Sequence, residues 1–401
     1  MRVSEIASQI CERVPVSAIC AEDYVSTDNM CPNFGGIEPS SSLPPSGNVT
    51  AYQVCDILLS NIRPYFRKTW LATHGGGCNA DVLCIRADSE KCLPKYLYYL
   101  LTTDNFVTDY LKSCKGAKMP RGDVNRLLNY EFNLPDLPTQ LRIAGVLGSI
   151  DEKIELNRRK IAELEALAKT IYDYWFVQFD FPDATGRPYK SSGGKMVWNG
   201  QLKREVPEGW EVVLLSNLCS ISTKQCVPSK MDCNLLEHYS IPAFDEGVYP
   251  SFDPPAAILS NKFVVPQGGI LYSKLNAQFK RIWDPLHLTA LPIASSEFVI
   301  YVPHDLQLRG FIYATLNAER VYKFANSISS CSTGSRKRFT PETTYRFPVA
   351  IPNDNEIVER FSKLFSDILG SIKKCRVEGV MLRDTRDTLL PLLMNGQVVV
   401  G

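Results

Sequence analysis

The feature that most constrains the fold of this 401-residue chain is an internal repeat. Residues 55–64, CDILLSNIRP, return as residues 268–277, GGILYSKLNA, 213 positions later. Further pairs of segments keep the same order and nearly the same offset: 3–7 with 215–219, 79–85 with 295–300, 115–118 with 333–336, and 137–138 with 351–352. This period is too long for a solenoid, so the chain is predicted to contain two copies of one module.

Composition excludes several classes of protein. A content of 45% hydrophobic and 22% charged residues is that of a globular protein, and the formal net charge of +1 excludes a protein that is basic all over. Nucleic-acid binding stays open, because only the contacting face must be positive. The chain starts without the apolar core of a signal peptide and has no run of about 18 apolar residues, so we expect a cytoplasmic location without membrane contact.

The cysteines give no sign of a metal site. None of the 13 forms a C-x-x-C pair, which favours reduced thiols over disulfides. His74 and Cys78 lie four residues apart, but the second pair of ligands that a zinc site requires is missing. We therefore expect no bound metal.

Each copy is predicted to begin with a globular part and to end in one long helix. Short β-type runs bounded by turn residues occur at 56–59, 82–85, 270–272 and 298–302, and shorter helices are predicted at 94–112 and 308–326. The fold class is α+β, with two similar mixed α/β domains whose sheets are mostly antiparallel. The predicted boundaries are 1–138 for the first domain, 139–180 for the first helical region, 181–205 for a polar connector, 206–352 for the second domain and 353–401 for the second helical region.

Both helical regions carry a coiled-coil seam, because apolar residues alternate at spacings of four and three. The first seam comprises Ile143, Leu147, Ile150, Ile154, Asn157, Ile161, Leu164, Ala168, Ile171 and Trp175. The second comprises Val358, Phe361, Phe365, Ile368, Ile372, Cys375, Gly379, Leu382, Arg386, Leu389 and Leu393. Two such helices in one chain most simply pack on each other as an antiparallel coiled coil with approximate two-fold symmetry.

Two details of the first helix are open to test. Pro138 and Thr139 are predicted to mark its start, with Thr139 as the N-cap. Asn157 is the one polar residue of its seam. It either sets the register of the coiled coil at a cost in stability, or it lies on an exposed turn of an imperfect seam.

Basic and amide side chains cluster at matching places in the two copies. Such side chains bind phosphates and reach base edges, so the matched clusters predict a DNA-binding surface. The alternative is that these are ordinary surface cations, because each module is nearly neutral. The predicted DNA-binding residues are Asn61, Arg63, Arg67, Lys68, Lys115, Lys118 and Arg121 in the first copy, and Lys274, Asn276, Lys280, Arg281, Arg336, Lys337 and Arg338 in the second.

Catalytic motifs are missing from the sequence. The segment 75–80, GGGCNA, fits a dinucleotide-binding pattern but lacks the strand-then-helix setting that the pattern requires, so it is predicted to be a turn. The segment 253–255, DPP, has Ala256 where an amino-methyltransferase has an aromatic residue. No G-x-S-x-G, Walker A or H-E-x-x-H motif occurs. The sequence therefore predicts a chain without catalysis of its own.

Seven short segments of the sequence are typical of one known family: 56–66 (DILLSNIRPYF), 115–122 (KGAKMPRG), 134–144 (LPDLPTQLRIA), 147–157 (LGSIDEKIELN), 175–176 (WF), 207–210 (PEGW) and 382–385 (LRDT). In these segments the chain resembles the specificity subunits of type I restriction-modification systems, and the resemblance covers nearly all its length. Two departures are small: Cys55 stands where a glycine is usual, and Gly269 occupies the position of Asp56 in the second copy.

The resemblance implies two target-recognition domains and two helical regions that form an antiparallel coiled coil. Each domain is expected to read one half of a gapped site in double-stranded DNA. The coiled coil is expected to set the gap and to dock two methyltransferase subunits, which hold S-adenosylmethionine and methylate adenine N6. Restriction subunits that use ATP and Mg²⁺ complete the implied complex, and no cofactor is expected on this chain.

Two other functions were weighed against this one. A coiled-coil scaffold or adaptor would assemble proteins without reading DNA, and DNA binding that depends on sequence would distinguish the two. A self-contained modifying enzyme is disfavoured by the missing cofactor loop.

Overall fold

The computed structural model describes residues 1–116, 118–276, 278–331 and 337–400. The chain divides into two compact units. The first contains residues 1–155 together with the end of the chain from Met381, and the second contains residues 156–380. Each unit therefore includes one globular part and a segment of each long helix. The domain boundaries predicted from the sequence stay a prediction, because this division cuts through both helices.

The first unit contains two four-stranded sheets. One has the order β1-β8-β5-β6 and is antiparallel throughout; the other has the order β2-β4-β7-β3 and is antiparallel except for β3 and β7. The strands are β1 Ala7–Gln9, β2 Arg13–Pro15, β3 Tyr24–Val25, β4 Asn48–Tyr52, β5 Ile57–Ser60, β6 Thr69–Leu71, β7 Gly76–Cys78 and β8 Val82–Ala87. The helices are α1 Pro94–Thr102, α2 Asp104–Leu111, α3 Val124–Leu128 and the long α4 Leu137–Tyr172, whose second half belongs to the second unit.

The second unit repeats this topology. Its sheets have the orders β12-β20-β17-β18 and β13-β16-β19-β14-β15, and β14 and β19 are again the parallel pair. The strands are β9 Met196–Asn199, β10 Arg204–Pro207, β11 Trp210–Leu214, β12 Cys219–Ser222, β13 Gln225–Cys226, β14 Leu236–Tyr239, β15 Ser251–Asp253, β16 Lys262–Val264, β17 Ile270–Ser273, β18 Ile282–Trp283, β19 Pro292–Ala294, β20 Phe298–Pro303, β21 Ser330–Cys331, β22 Lys337–Arg338 and β23 Pro348–Pro352. The helices are α5 Ile241–Gly247, α6 Arg309–Asn317, α7 Glu319–Ser327, α8 Pro341–Thr344 and the long α9 Glu356–Met394, which ends in the first unit.

The repeated sequence motif forms an inner strand in each unit: β5 in the sheet β1-β8-β5-β6, and β17 in the sheet β12-β20-β17-β18. In β5, Ile57 and Leu59 face one hydrophobic cluster while Leu58 faces another. In β17, Ile270 and Tyr272 likewise face one cluster and Leu271 the other. Alternate residues of a strand point to opposite faces, so a strand covered on both sides needs an unbroken apolar run. This explains the ILL and ILY runs and confirms the predicted mixed α/β class.

Several local predictions need correction. The helices predicted at 94–112 and 308–326 are each two helices, broken at Thr103 and Ala318. Thr103 adopts an extended conformation (φ −65°, ψ 147°), and its hydroxyl accepts a hydrogen bond from the N–H of Phe106, which caps α2.

The start of α4 also differs from the prediction. The N-cap is Asp136, because its Oδ1 accepts the N–H of Thr139 at 3.1 Å. Pro138 lies in the first turn of the helix, where its missing N–H costs nothing.

The 75–80 segment is not a turn, because Gly76–Cys78 forms strand β7. A Cβ on Gly76 would lie 2.1 Å from the carbonyl oxygen of Asp23, so the close approach of the neighbouring backbone requires glycine here.

In each unit the two long helices run antiparallel. In the first unit, Arg386 Nη1 lies 3.0 Å from Asp151 Oδ1, and Leu393 shares a hydrophobic cluster with Ile143 and Leu147. In the second, the Asn157 side-chain amide donates to Glu378 Oε2 at 2.8 Å, and the rings of Tyr172 and Phe361 lie 6.0 Å apart. Residue numbers rise along one helix as they fall along the other, which confirms the predicted antiparallel coiled coil.

The seam positions are buried or half-buried in the structure. Asn157 is only 4% exposed, so the alternative of an exposed turn is wrong. Its hydrogen bond with Glu378 leaves the interpretation as a register-setting residue. Within the described ranges, none of the helices has the length and apolar character needed to cross a membrane, and no cluster of three or more potential metal ligands was found.

Candidate nucleic-acid interface

The first unit brings the two predicted basic segments of its module together. Loop A1, residues 61–68, connects β5 to β6, and loop B1, residues 115, 116 and 118–122, follows α2. The N–H of Arg63 donates to the carbonyl of Pro120 at 2.8 Å, and the N–H of Gly122 donates to the carbonyl of Asn61 at 3.0 Å. Ile62 and Arg121 form a β-bridge between the loops. Segments that are more than 50 residues apart in sequence therefore form one surface at the end of β5.

The second unit repeats the arrangement. Loop A2, residues 274–276 and 278–281, connects β17 to β18, and loop B2, of which residues 331, 337 and 338 are described, lies between α7 and α8. The N–H of Asn276 donates to the carbonyl of Lys337 at 2.7 Å, and the N–H of Lys337 donates back to Asn276 Oδ1 at 3.1 Å. Leu275 and Arg338 form the β-bridge. Arg336, predicted to bind DNA, lies outside the described residues.

The two A loops share a strained backbone conformation. Arg63 and Asn276, at equivalent positions, have φ of +47° and +50°, and Arg67 has φ of +54°. Residues other than glycine in this left-handed region cost on the order of 1–3 kcal/mol each and persist only where the surroundings hold them. Backbone hydrogen bonds to loops B1 and B2 hold Arg63 and Asn276, and backbone hydrogen bonds with Pro64 and Phe34 hold Arg67. Such strain is concentrated at functional sites, which makes both loops candidates for one.

A carboxylate orients one arginine in each B loop. Arg121 Nη2 lies 2.8 Å from Asp81 Oδ1, and Arg338 binds Glu297 through Nε and Nη2 at 3.0 and 2.7 Å. The Glu297 carboxylate raises the pKa of the Arg338 guanidinium above its ordinary value. Sequence reasoning missed both acids. Their positions in the sequence could have identified them, because Asp81 directly precedes β8 and Glu297 directly precedes β20. These two strands pair with β5 and β17.

Other predicted residues are held by the domain itself. Arg67 Nη1 lies 2.7 Å from Asp104 Oδ1, and Lys68 Nζ donates to the carbonyl of Thr27 at 2.6 Å. Arg281 binds Asp245 through two nitrogens at 2.6 and 2.8 Å.

One amide is also held within the first unit. Asn61 Oδ1 accepts the Tyr110 hydroxyl at 2.7 Å, and burial raises the pKa of Tyr110, so it donates as a neutral phenol.

The remaining lysines are available to a ligand. Lys115, Lys118, Lys280 and Lys337 are exposed and Lys274 is half-buried, and none makes a side-chain hydrogen bond or ion pair within the described part of the chain. The Nε of Arg63 is buried, and it also has no hydrogen-bond partner among the described residues. Each unit thus presents lysines without a side-chain partner among its described residues, beside an arginine that a carboxylate orients. Lysines of this kind neutralise phosphates, and oriented guanidinium groups match the acceptors of base edges.

Comparisons with known proteins find similarity to one family. The family described as the type I restriction modification DNA specificity domain matches residues 61–166, which begin at loop A1 and extend into α4. The HindI specificity subunit of Haemophilus influenzae, a type I restriction enzyme subunit, is 22% identical over 86% of this chain and 86% of its own length. The MjaIX specificity subunit of Methanocaldococcus jannaschii is 30% identical over 34% of this chain and 29% of its own length.

The fold also matches a solved structure. The crystal structure of the type I restriction-modification system S subunit from M. genitalium aligns with a TM-score of 0.61 and 13% identity, over 98% of this chain and 95% of that one. At this identity the match shows the fold alone. The sequence similarity confirms the resemblance to the specificity subunits of type I restriction-modification systems, and the solved structure adds the shared fold.

Proposed function

We propose that the chain is the DNA sequence-specificity subunit of a type I restriction-modification complex, and that each globular domain reads one half of a bipartite, gapped site. The observation that carries the proposal is the pairing of a basic A loop with a basic B loop, built twice on one strand topology. A module duplicated with its loop pair intact suits a target with two separate parts. The similarity to specificity subunits supports the same function.

The contacts within each loop pair divide the predicted residues by role. The lysines that have no side-chain partner within the described ranges are proposed to bind phosphates, which positions the domain without selecting a sequence. Arg121 and Arg338, oriented by Asp81 and Glu297, keep N–H donors that are not used by the carboxylate. Guanidinium groups held in this way are suited to the N7 and O6 acceptors of guanine in the major groove.

The coiled coil is proposed to set the gap between the half-sites and to dock two methyltransferase subunits. Its buried seam and the Asn157–Glu378 hydrogen bond support a pairing with one register. In this proposal the chain reads and measures DNA, while its partners carry out the chemistry. The methyltransferase subunits hold S-adenosylmethionine, and the restriction subunits use ATP and Mg²⁺.

Sequencing of the methylated bases in cells that express this chain with its methyltransferase subunits tests the proposal. A single motif of two defined half-sites with a constant gap is the expected result. Cells that express the methyltransferase subunits alone are the control, and they should show no such motif. Methylation that does not depend on the presence of this chain, or that follows no sequence, would contradict the proposal and favour a scaffold.

The spacing role has a test of its own. Four residues inserted into α4 near 163–166 add about one turn, or ~6 Å, and keep the seam nearly in phase. At about 3.4 Å per base pair the gap should lengthen by one or two base pairs, while both half-sites stay the same. An insertion of two residues is the matched control, because it rotates the seam by about 200° and should abolish assembly. An unchanged gap with full activity would show that the helices do not measure the spacing.

A further inference from the structure

Each A loop exposes a phenylalanine at an equivalent position. Phe66 in loop A1 is 41% exposed and Phe279 in loop A2, 213 residues later, is 54% exposed. A single exposed apolar side chain is ordinary on a protein surface. Here the same ring is exposed at the same place in both copies, on two loops that carry predicted DNA-binding residues. This recurrence indicates a shared role.

The backbone under both rings is held rigidly. The N–H of Phe66 donates to the carbonyl of Arg63 at 3.0 Å, and its own carbonyl accepts from the N–H of Asn33 at 2.9 Å. The N–H of Phe279 donates to the carbonyl of Asn276 at 2.8 Å. In each loop the acceptor is the left-handed residue, so the strained conformation and the presentation of the ring belong to one turn.

Each ring also carries a cation two residues further along the chain. Lys68 Nζ lies 6.0 Å from the centroid of the Phe66 ring, and Arg281 Cζ lies 5.1 Å from that of Phe279. These cations are themselves anchored, Lys68 by the carbonyl of Thr27 and Arg281 by Asp245. An anchored cation beside each ring helps to hold the ring in place, and the exposed part of the ring remains available as a stacking surface.

We infer that Phe66 and Phe279 are aromatic wedges, each of which enters one base step of its half-site and stacks on a base. The inference rests on the proposed function and adds to it a means of selecting sequence without hydrogen bonds. Wedging requires partial unstacking, which is easiest at pyrimidine–purine steps. Each domain would thus favour a deformable step at a position where no side chain reads a base edge.

Fluorescence of 2-aminopurine tests this, because the probe brightens when it is unstacked. The complex of this chain with its methyltransferase subunits is bound to duplexes that carry the cognate motif, with the probe at successive positions. The methylated adenines keep their natural base, since rotation of that base out of the helix would brighten the probe without a wedge. We expect one bright step in each half-site with the wild-type chain, a result that needs no variant.

The variants assign each wedge to its half-site. Phe66→Ala should abolish the bright step in one half-site only, and Phe279→Ala the step in the other only. Each should weaken specific binding about tenfold, which is roughly 1.4 kcal/mol. Phe66→Leu keeps an apolar side chain, so it should retain part of the signal. The matched control is Phe252→Ala, which removes an exposed phenylalanine from β15, outside both loops. It should leave the affinity and the fluorescence unchanged.

The outcomes distinguish a failure of the wedge from a failure of the proposed function. Specific binding by the wild type without any bright step, or bright steps that persist in both alanine variants, would overturn the wedge and leave the proposed function in place. Absence of any sequence-specific binding by the wild-type complex would overturn both.

Discussion

The two copies of the module differ at the residue that directly precedes β5 in the first and β17 in the second. In the first, Asp56 precedes β5, is 1% exposed, and accepts two hydrogen bonds of 2.7 Å from Arg86. In the second, Gly269 takes that position and Arg309 donates to the carbonyls of Gly268 and Gly269 at 3.0 and 3.2 Å.

The charge of Arg309 is balanced from elsewhere. Its Nη2 lies 2.5 Å from Asp284 Oδ1, and Lys373 of α9 approaches the same oxygen at 2.9 Å. A carboxylate near the sheet is present in both copies, but it comes from different parts of the chain. The comparison shows that duplication has kept the backbone path while the charge network around it has been rebuilt.

The largest expected effect is that of Asp284→Ala. Asp284 is 3% exposed and balances two cations, and burial already lowers the pKa of Lys373. Its removal should destabilise the second unit by about 3–5 kcal/mol, because two half-buried cations lose a buried partner. Hydrogen exchange of β17 and β20 reports on this unit separately from the first. Protection within a factor of ten of the wild type would show that the triad contributes little.

A somewhat smaller loss, about 3 kcal/mol, is expected for Asp56→Ala in the first unit. Arg86 is partly exposed, so water offsets some of the cost of leaving it unpaired. Hydrogen exchange of β5 and β8 measures the change. The double variant Asp56→Ala/Arg86→Leu is the matched control and should recover much of the loss, since no unpaired charge remains. Equal destabilisation by the single and double variants would argue against the ion pair as the cause.

The loop arginines should differ in which half-site they affect. Arg121→Ala should relax one position of one half-site and Arg338→Ala one position of the other, each by about 1–3 kcal/mol of discrimination. Lys118→Ala is the comparison, because loss of a phosphate contact should lower the salt-dependence slope by about one unit without changing the motif. Methylome sequencing and binding at several salt concentrations measure both effects. A motif unchanged by both arginine variants would contradict this division of roles.

The smallest expected effect lies at the first residue of the repeated motif. Cys55 has φ of +69° and is exposed, whereas the equivalent Gly268 has φ of +76°. Cys55→Gly should stabilise the first unit by up to about 1 kcal/mol, because relief of the left-handed strain exceeds the added entropy of the unfolded chain. Gly268→Ala is the reverse control and should destabilise the second unit by about 1 kcal/mol or more. Thermal unfolding of both variants checks the signs, and a destabilising Cys55→Gly would refute the argument.

Periodic patterns in the sequence were sufficient to predict much of the fold. The β-type runs at 56–59 and 270–272 predicted strands, and the alternation of four and three predicted two helices that pack antiparallel. These features depend on local geometry, because the spacing of side chains along a helix or strand is set by the backbone alone. Local competition explains the errors: the Thr103 hydroxyl caps α2, and the Asp136 carboxylate takes the N-cap that Thr139 was expected to fill.

The candidate site was only half predictable. The sequence alone determined that basic residues recur at matching positions of a duplicated module. It also determined that two long helices carry apolar seams, which must pack against another helix. Only the tertiary structure decided that loop A1 contacts loop B1 and that loop A2 contacts loop B2. It also decided which arginines pair with Asp81, Glu297 or Asp245. The exposure of Phe66 and Phe279 was likewise visible only in the structure. The physical reason is that these contacts join residues far apart in the chain, and their geometry follows from sheet pairing and core packing, which no local pattern encodes.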